Sequence, residues 1–290
     1  MNLSFVTIGD EEFFDSIWIS VQQANRFYPE ASFYVYDWGF TDSQRNQLEA
    51  TENIAEIVKW EDPVRVSSIE RFAFLRKVKS YIYRYLPVTY ADPGDVEDAR
   101  QREQNYAQKP FCLLDCLQRS NSRLIYLDGD AFLVNQIDVL LRKDFEVGVT
   151  LRREEEIVNE RNHCQVLNAG VIFFNGSAEY TEVFLKQWIR RMKSTYEYLA
   201  EQTALTRLIE DGCPIIFEDY YNEGTLSLSG RSVNVQVLPC EKYNFNWIEE
   251  GIDTNKTSIV HFKGERHSGD RFENLLQEVG ISTFEEESVR

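Results

Sequence analysis

The chain has 290 residues, 43% of them apolar, and includes 5 Trp, 15 Tyr and 19 Phe. This composition excludes a disordered chain, and no stretch approaches the roughly 20 uninterrupted apolar residues of a membrane span. The length fits one large domain or one domain with an elaboration. A formal net charge of −17 disfavours nucleic acid and anionic membrane surfaces as partners, because both are themselves negative.

The first part of the chain alternates short β-rich runs with stretches of helical period, which predicts an α/β domain with a largely parallel sheet. The spacing of Thr41 and Gln44 is that of a capping box, which opens the second helix. In chain order we predict a strand over Leu3–Ile8, a helix over Phe13–Phe27, a strand over Phe33–Asp37, a helix through Leu48 and a strand over Ala55–Lys59.

In the rest of the chain, residues 87–108 are predicted to form a loop, because a Pro-Gly pair and a run of charges interrupt the pattern. Gly212 is predicted to end a helix in the left-handed conformation. The remaining predicted elements are a helix over Pro110–Gln118, strands over Arg123–Leu127, Val171–Phe174 and Ser258–Phe262, and a polar tail over Glu265–Arg290. A long helix between the last two strands is predicted to bury Val183, Phe184, Trp188, Met192 and Tyr196.

The five cysteines have none of the paired spacing of a zinc site. Cys112 and Cys116 lie one helical turn apart, and we predict that both are buried as small apolar residues. The N-terminus begins directly as a strand, without the basic and apolar regions of a signal peptide. We therefore expect a reducing, cytoplasmic setting.

Two carboxylates flank a glycine where a predicted buried strand ends, in Leu127-Asp128-Gly129-Asp130. Ligand sites of open α/β sheets lie beyond the carboxyl ends of the strands. A turn at Gly129 can let both carboxylates approach one cation. A surface turn closed by an aspartate hydrogen bond is the alternative interpretation of the same triplet.

Only three histidines occur, and His261 lies in the last predicted strand. It can be a polar residue at a strand edge, or it can join the two carboxylates in a mixed oxygen and nitrogen set that suits Mn²⁺ better than Mg²⁺. Asn168-Ala169-Gly170 precedes another buried strand as a tight turn, whose small residues also allow a ligand close to the backbone. Glu201 and Gln202 begin a predicted helix.

Taken in order, these motifs resemble those of glycosyltransferase family 8, whose members have the GT-A fold and use nucleotide-sugar donors. The resemblance runs from about residue 1 to residue 267 and is confined to the motifs. It implies a Rossmann-like mixed, mainly parallel sheet flanked by helices. The matching segments are Lys109-Pro110, Ile125-Tyr-Leu-Asp128-Gly-Asp130, Asn168-Ala-Gly170, Glu201-Gln202 and His261-Phe-Lys-Gly264.

By this resemblance, Asp128, Asp130 and His261 would bind Mn²⁺, with Mg²⁺ as the other choice, and the metal would neutralise the leaving nucleoside diphosphate. Glu201 and Gln202 would lie beside the anomeric carbon as catalytic residues. The donor would contact Val6, Thr7, Ile8, Asp37, Lys109, Asp128, Gly129, Asp130, Asn168, Ala169, Gly170, Gly264 and His267.

The expected activity is metal-dependent transfer of a hexose from a UDP-sugar to a hydroxyl acceptor, with retention of anomeric configuration, as in family 8. The acceptor can be a glycan, a small molecule or a protein. This chain has Glu201 where family members usually have Asp, and His267-Ser268-Gly269 where they tend to have Lys followed by Pro-Trp. We expect one catalytic domain over residues 1–264, with a nucleotide-binding half over about 1–130, an acceptor-side half over about 131–264, and a tail over 265–290.

Two other functions fit the same fold class. A sugar nucleotidyltransferase needs a glycine-rich, basic loop after the first strand to hold a triphosphate, but here that loop is Gly9-Asp-Glu-Glu12, which is acidic. A non-catalytic binding or scaffold protein is the other alternative, since fold alone does not establish activity. The trio Asp128, Asp130 and His261 favours the enzyme, because a degenerate binder would be expected to lose its metal ligands.

Overall fold

The computed structural model describes residues 2–71, 74, 93–157, 166–197, 199–247, 251–262, 270–278 and 280–281. The strands are β1 (Leu3–Gly9), β2 (Ser32–Asp37), β3 (Ile54–Lys59), β4 (Arg123–Leu127), β5 (Ala131–Leu133), β6 (Val147–Leu151), β7 (Leu167–Phe174), β8 (Glu223–Leu228), β9 (Arg231–Pro239) and β10 (Ile259–His261). The helices are α1 (Phe14–Phe27), α2 (Asp42–Glu49), α3 (Pro93–Tyr106), α4 (Lys109–Ser120), α5 (Asp138–Leu141), α6 (Ala178–Met192), α7 (Ala200–Glu210), α8 (Cys240–Tyr243) and α9 (Asp270–Glu278).

Eight strands form the central sheet in the order β3-β2-β1-β4-β7-β6-β9-β8. Six of them run in one direction, and β7 and β8 run the opposite way. A second sheet pairs β10 with β5 in antiparallel register. The predicted fold class, a mixed and mainly parallel sheet flanked by helices, is confirmed.

Both faces of the central sheet are covered, so alternate residues of a strand enter different cores. On β4, Tyr126 faces a cluster shared with α4, α6 and α7, whereas Leu127 faces a cluster shared with α1, β5 and β10. Cys112 and Cys116 are fully buried in the first of these clusters, as predicted. Burial on both faces explains why the strands consist largely of apolar runs.

The first βαβαβ unit is confirmed, with bounds within one or two residues of those predicted. The capping box is present, since Thr41 Oγ1 accepts from Gln44 N and Gln44 Oε1 accepts from Thr41 N. The prediction of a loop over residues 87–108 is wrong for the described part, because residues 93–106 form α3. Residues 87–92 lie outside the described residues.

The physical reason lies in the last part of α3 and the turn after it, where glutamine side chains make the attachment through hydrogen bonds. The Gln104 side chain bonds both the N–H and the carbonyl of Val66. The Gln108 side chain does the same at Val64. Two glutamines four residues apart therefore attach this region to the segment after β3, a mode of burial that a search for apolar periodicity does not detect.

Three further details correct the sequence interpretation. Strand β7 begins at Leu167, so Asn168–Gly170 lies inside the strand and does not precede it. Tyr196 lies beyond α6 and is exposed, so it does not belong to the buried stripe. Gly212 does not have a positive φ angle. A Cβ there would clash with Leu226 Cδ2, so close packing explains the glycine.

Within the segment predicted as a polar tail, helix α9 packs against the second core. Phe272 is 4% exposed and its ring contacts that of Phe262 edge-on, with 4.9 Å between centroids. Leu276 is buried beside it. Among the described residues, no helix is both long and apolar enough to cross a membrane.

We predict that Phe272→Ala lowers the free energy of unfolding by about 3–5 kcal/mol, because it leaves a cavity in the core. Glu273→Ala is the matched control, since this neighbour on the same helix is exposed. Urea denaturation of both variants is the measurement. Equal stability of the two would contradict the packing of α9 described above.

Candidate active site

The site is organised by the turn that connects β4 to β5. Asp128 N donates to Gly170 O of β7, and Ala131 N donates back to Asp128 O. The Ser16 hydroxyl of α1 donates to Gly129 O at 2.7 Å. A Cβ at Gly129 would lie 2.9 Å from the carbonyl oxygen of Ile8, so only glycine fits between this turn and the end of β1. The predicted triplet therefore lies at the carboxyl end of a central strand.

Asp128, Asp130 and His261 form a group that could hold a metal ion, with one potential ligand atom from each lying within 4.8 Å of the others. His261 Nε2 is 3.1 Å from Asp130 Oδ1 and 3.7 Å from Asp128 Oδ2. Pairing of β10 with β5 places His261 opposite Ala131 and so brings the distant histidine to the turn. Two carboxylate oxygens and one imidazole nitrogen are a ligand set that can hold a divalent cation.

Lys109, the first residue of α4, lies buried between two acidic side chains. Its Nζ donates to Ala169 O at 2.9 Å and lies 3.2 Å from Asp128 Oδ1 and 3.4 Å from Glu201 Oε1. Burial disfavours the charged amine, but the two carboxylates outweigh it and hold the pKa of Lys109 above its ordinary value. One hydrogen bond and two ion pairs thus join Lys109 to Ala169, Asp128 and Glu201.

The carboxylate of Asp128 is stabilised in its charged form. Burial acts against it, yet Lys109, His261 and the Tyr126 hydroxyl together hold the pKa of Asp128 below its ordinary value. Tyr126 donates its hydroxyl proton to Asp128 Oδ1, and its ring lies 4.9 Å from Lys109 Nζ. An ionised carboxylate at this position is the form that a metal ion requires.

Glu201 and Gln202 occupy the first turn of α7 and are both buried. Burial raises the pKa of Glu201 to about 7, although Lys109 opposes that shift. Gln202 Oε1 accepts from Ala169 N at 3.0 Å. The two predicted catalytic residues are therefore linked to the metal-ligand cluster indirectly, Glu201 through Lys109 and Gln202 through the backbone of β7.

Asn168, Ala169 and Gly170 form an irregular segment of β7, which we call the β7 bulge, where the register with β6 shifts. A Cβ at Gly170 would lie 2.3 Å from His261 Cε1, so glycine makes room for the imidazole. Asn168 Oδ1 accepts from Gly170 N, whereas the buried Nδ2 has no hydrogen-bond partner among the described residues. The segment thus presents one unused donor at the site.

The other predicted donor-binding residues differ in their surroundings. Val6, Thr7 and Ile8 are buried in β1, whose end abuts Gly129, and Thr7 Oγ1 has no hydrogen-bond partner in the described part of the chain. Asp37 bonds the N–H groups of Gly39 and Phe40 and pairs with Arg45, so its carboxylate is occupied in holding the turn after β2. Gly264 and His267 lie outside the described residues.

Sequence reasoning missed Asn244, which follows α8. Its Oδ1 lies 2.8 Å from His261 Nδ1, and its Nδ2 donates to Thr150 Oγ1 and to Asn168 O. It also missed Tyr126, which bonds Asp128. Asn244 stands in no motif that the sequence analysis identified, and it comes from the segment after α8, so no local signal pointed to it. Tyr126 lies inside the segment Ile125–Asp130, two residues before Asp128, and that closeness was the signal that could have found it.

No protein-family model matches this sequence, and no curated protein matches it in a sequence search. Solved structures do match its fold. The galactosyltransferase LgtC, in complex with donor and acceptor sugar analogues, is 15% identical, covers 96% of this chain and 95% of its own, and gives a TM-score of 0.51. The glycosyltransferase GlyE of Streptococcus pneumoniae TIGR4 is 13% identical over 97% of this chain and 61% of its own, with a TM-score of 0.53.

The bifunctional glycosyltransferase WbbM, in its apo form, is 11% identical over 99% of this chain and 51% of its own, with a TM-score of 0.55. At these identities the likeness is one of fold. The predicted resemblance to GT-A-type glycosyltransferases is therefore confirmed at the level of the fold, and membership of family 8 stays a prediction.

We predict that Lys109→Met destabilises the metal-free protein by about 3–5 kcal/mol, because it leaves the buried Glu201 and the partly buried Asp128 without their cation. Lys256→Met is the control, since Lys256 pairs with Asp253 at the surface and an exposed pair contributes about 1 kcal/mol at most. Denaturant unfolding in EDTA is the measurement, and equal losses in the two variants would contradict the role given to Lys109.

A second prediction concerns the pH dependence of stability. An unfolded glutamate ionises near pH 4.5 and folded Glu201 near pH 7. The folded state therefore binds this proton more tightly, and stability falls as the pH rises between those values. Glu201→Gln removes that loss, so its stability relative to the parent protein should rise by up to about 3 kcal/mol from pH 4.5 to 7 and then stay level.

Parallel urea titrations of both proteins in EDTA test this prediction. A constant difference across the pH range would show that Glu201 titrates at its ordinary pKa in the folded protein. Glu197→Gln serves as the control, because Glu197 lies near the surface, where it pairs with Arg207.

Proposed function

We propose that this protein is a metal-dependent glycosyltransferase that transfers a hexose from a UDP-sugar to a hydroxyl acceptor. One observation carries the proposal: Asp128, Asp130 and His261 converge at the carboxyl end of β4, on the fold shared with LgtC, GlyE and WbbM. In open α/β sheets this end of the strands is where ligands bind.

Asp128, Asp130 and His261 would hold the divalent cation, for which Mn²⁺ is the proposed choice. When bound, it supplies the positive charge that neutralises the leaving nucleoside diphosphate. The protein itself carries a net charge of −17, and Lys109 is already balanced by Asp128 and Glu201. A cation at this cluster is therefore the source of positive charge that an anionic donor needs here.

We place the donor sugar against the β7 bulge. Asn168 Nδ2 is a buried donor without a partner among the described residues, and leaving such a group unpaired costs about 1–3 kcal/mol. A sugar hydroxyl is an acceptor that would satisfy it. Because residue 170 is glycine, no side chain covers the backbone of β7 beside Asp128 and His261.

Glu201 and Gln202 are the proposed catalytic residues, which would orient the sugar and stabilise the charge that develops at its anomeric carbon. One solved neighbour is LgtC with a glutamine-to-glutamate change in its active site, 14% identical with a TM-score of 0.50, so a glutamine belongs to the active site of that protein. We propose the same for Gln202, and retention of configuration as the outcome.

Within this proposal, the end of β1 at Val6, Thr7 and Ile8 lies on the nucleotide side. Residues 1–264 form the proposed catalytic domain. Gly264 and His267, which lie outside the described residues, stay proposed donor contacts. We also propose a cytoplasmic setting, which the unpaired, buried Cys112 and Cys116 support. The proposed acceptor is a hydroxyl group of a glycan, a small molecule or a protein.

We predict that a UDP-sugar raises the thermal midpoint only when Mn²⁺ is present. A ligand at 100 times its dissociation constant adds about 2.7 kcal/mol, which corresponds to several degrees for a chain of this size. Asp130→Asn should abolish this shift and the metal-dependent turnover of the donor. Its own midpoint should match or exceed that of the parent protein, because the change removes repulsion between neighbouring carboxylates.

Thermal shift against a panel of nucleotide sugars, each with and without Mn²⁺, is the measurement, followed by a hydrolysis assay of the donor. Asp144→Asn, a change at an exposed carboxylate outside the cluster, should retain the shift. If no nucleotide sugar shifts the parent protein with or without metal, the proposal fails. Unfolding of Asp130→Asn would instead point to a structural role for that carboxylate.

A further inference from the structure

The two ring nitrogens of His261 face different environments. Nε2 lies 3.1 Å from Asp130 Oδ1, on the side of the metal-ligand cluster, and Nδ1 lies 2.8 Å from Asn244 Oδ1. The imidazole is 5% exposed, so water does not replace either contact readily. A neutral histidine has one N–H, and which nitrogen carries that proton decides whether Nε2 can bind a cation.

The Asp130 side favours the unproductive form. A carboxylate oxygen only accepts hydrogen bonds, so in the metal-free protein it would draw the proton to Nε2. A protonated Nε2 has no lone pair for a metal ion. The contact with Asp130 alone would therefore leave His261 in the tautomer that cannot bind.

Asn244 acts from the other side of the ring, and its orientation is determined by its remaining partners. Its amide nitrogen lies 3.0 Å from Asn168 O, a backbone carbonyl that can only accept. The nitrogen must therefore face Asn168, and the amide oxygen must face His261. An amide oxygen cannot donate, so Nδ1 has to carry the proton of the hydrogen bond between them.

Thr150 reinforces the same direction. Its hydroxyl donates to Asn168 O at 2.7 Å and accepts from Asn244 Nδ2 at 2.8 Å. Asn244 is fully buried, so both of its amide protons are used and the side chain has no alternative arrangement in solvent. The carbonyl of Asn168 can only accept, so it determines which atom donates and which accepts in the hydrogen bonds that link Thr150, Asn244 and His261.

We propose that Asn244 is a positioning residue that holds His261 with Nδ1 protonated and Nε2 bare toward the metal site. The inference rests on the proposed metal site for its functional meaning, but the hydrogen-bond arrangement exists in the metal-free protein. It also joins the metal ligand to the β7 bulge, because the same amide bonds Asn168 O. A partner that orients a metal-binding histidine typically contributes a factor of about 10–100 in metal affinity.

The first test reads the tautomer directly, without metal. Long-range proton–nitrogen NMR correlation at pH 8 in EDTA distinguishes protonated from bare ring nitrogens, and the chain has only three histidines. Comparison with His261→Gln assigns the signals. We expect Nδ1 of His261 to carry the proton in the parent protein and in Thr150→Val, and Nε2 to carry it in Asn244→Leu.

The second test measures Mn²⁺ binding alone by the loss of the free-ion EPR signal. Asn244→Leu should weaken binding about 10- to 100-fold. Asn244→Asp keeps an oxygen acceptor for Nδ1 and should restore binding close to that of the parent protein. Thr150→Val retains the carbonyl of Asn168 that orients Asn244 and should also bind normally.

Circular dichroism and thermal unfolding establish that each variant is folded. If Asn244→Leu does not fold, Asn244→Ser replaces it. The serine oxygen lies one bond closer to the backbone than the amide oxygen of asparagine, so it is too far from His261 Nδ1 to replace that hydrogen bond. An unchanged tautomer in a folded Asn244 variant, or unchanged Mn²⁺ affinity beside a parent protein that binds, overturns the inference. A parent protein that binds no Mn²⁺ while showing the expected tautomers contradicts the proposed metal site and leaves the role of Asn244 in the fold established.

Discussion

The buried ammonium of Lys109 is the interaction on which the site depends. Two acidic side chains, Asp128 from the turn after β4 and Glu201 from α7, lie within 3.4 Å of its nitrogen and are separated in the chain by 73 positions. Holding the buried Glu201 and the partly buried Asp128 together without a cation would cost several kcal/mol. Because the lysine is the first residue of α4, packing of that helix on the sheet delivers the charge that lets the acidic groups come together.

The charge of Lys109 brings the acidic side chains together, and the β7 bulge positions the side chains around them. Its backbone bonds Lys109, Gln202 and Asn244, which come from two helices and the segment after α8. Backbone groups have fixed positions and fixed roles as donors or acceptors, so side chains that bond them are fixed as well. An irregularity in a fully buried strand is tolerated here because the backbone groups that the register shift leaves unpaired form hydrogen bonds with these side chains.

The order of the motifs was enough to predict the fold and the cluster of metal-ligand candidates. Asp128 and Asp130 follow a strand with an unmistakable apolar run, so their place at the carboxyl end of that strand follows from local pattern. That His261 joins them was implied by the family resemblance, and the pairing of β10 with β5 brings it there. Asn244 was not predictable, because its role comes from contacts with residues 76 and 94 positions away. Helix α3 was missed for a related reason, since Gln104 and Gln108 bury themselves through hydrogen bonds and leave no apolar period.

The sequence by itself determined which residues could form strands, where the acidic turn follows β4, and that histidine and carboxylates were available for one cation. These are consequences of side-chain period and residue type, which act over a few neighbouring positions. Three features were decided only by the tertiary structure. Asp37 forms an ion pair with Arg45, Lys109 donates a hydrogen bond to Ala169 O, and Asn244 orients His261. Hydrogen-bond partners depend on which strands and helices meet in space, and that information resides in the packing of the whole chain.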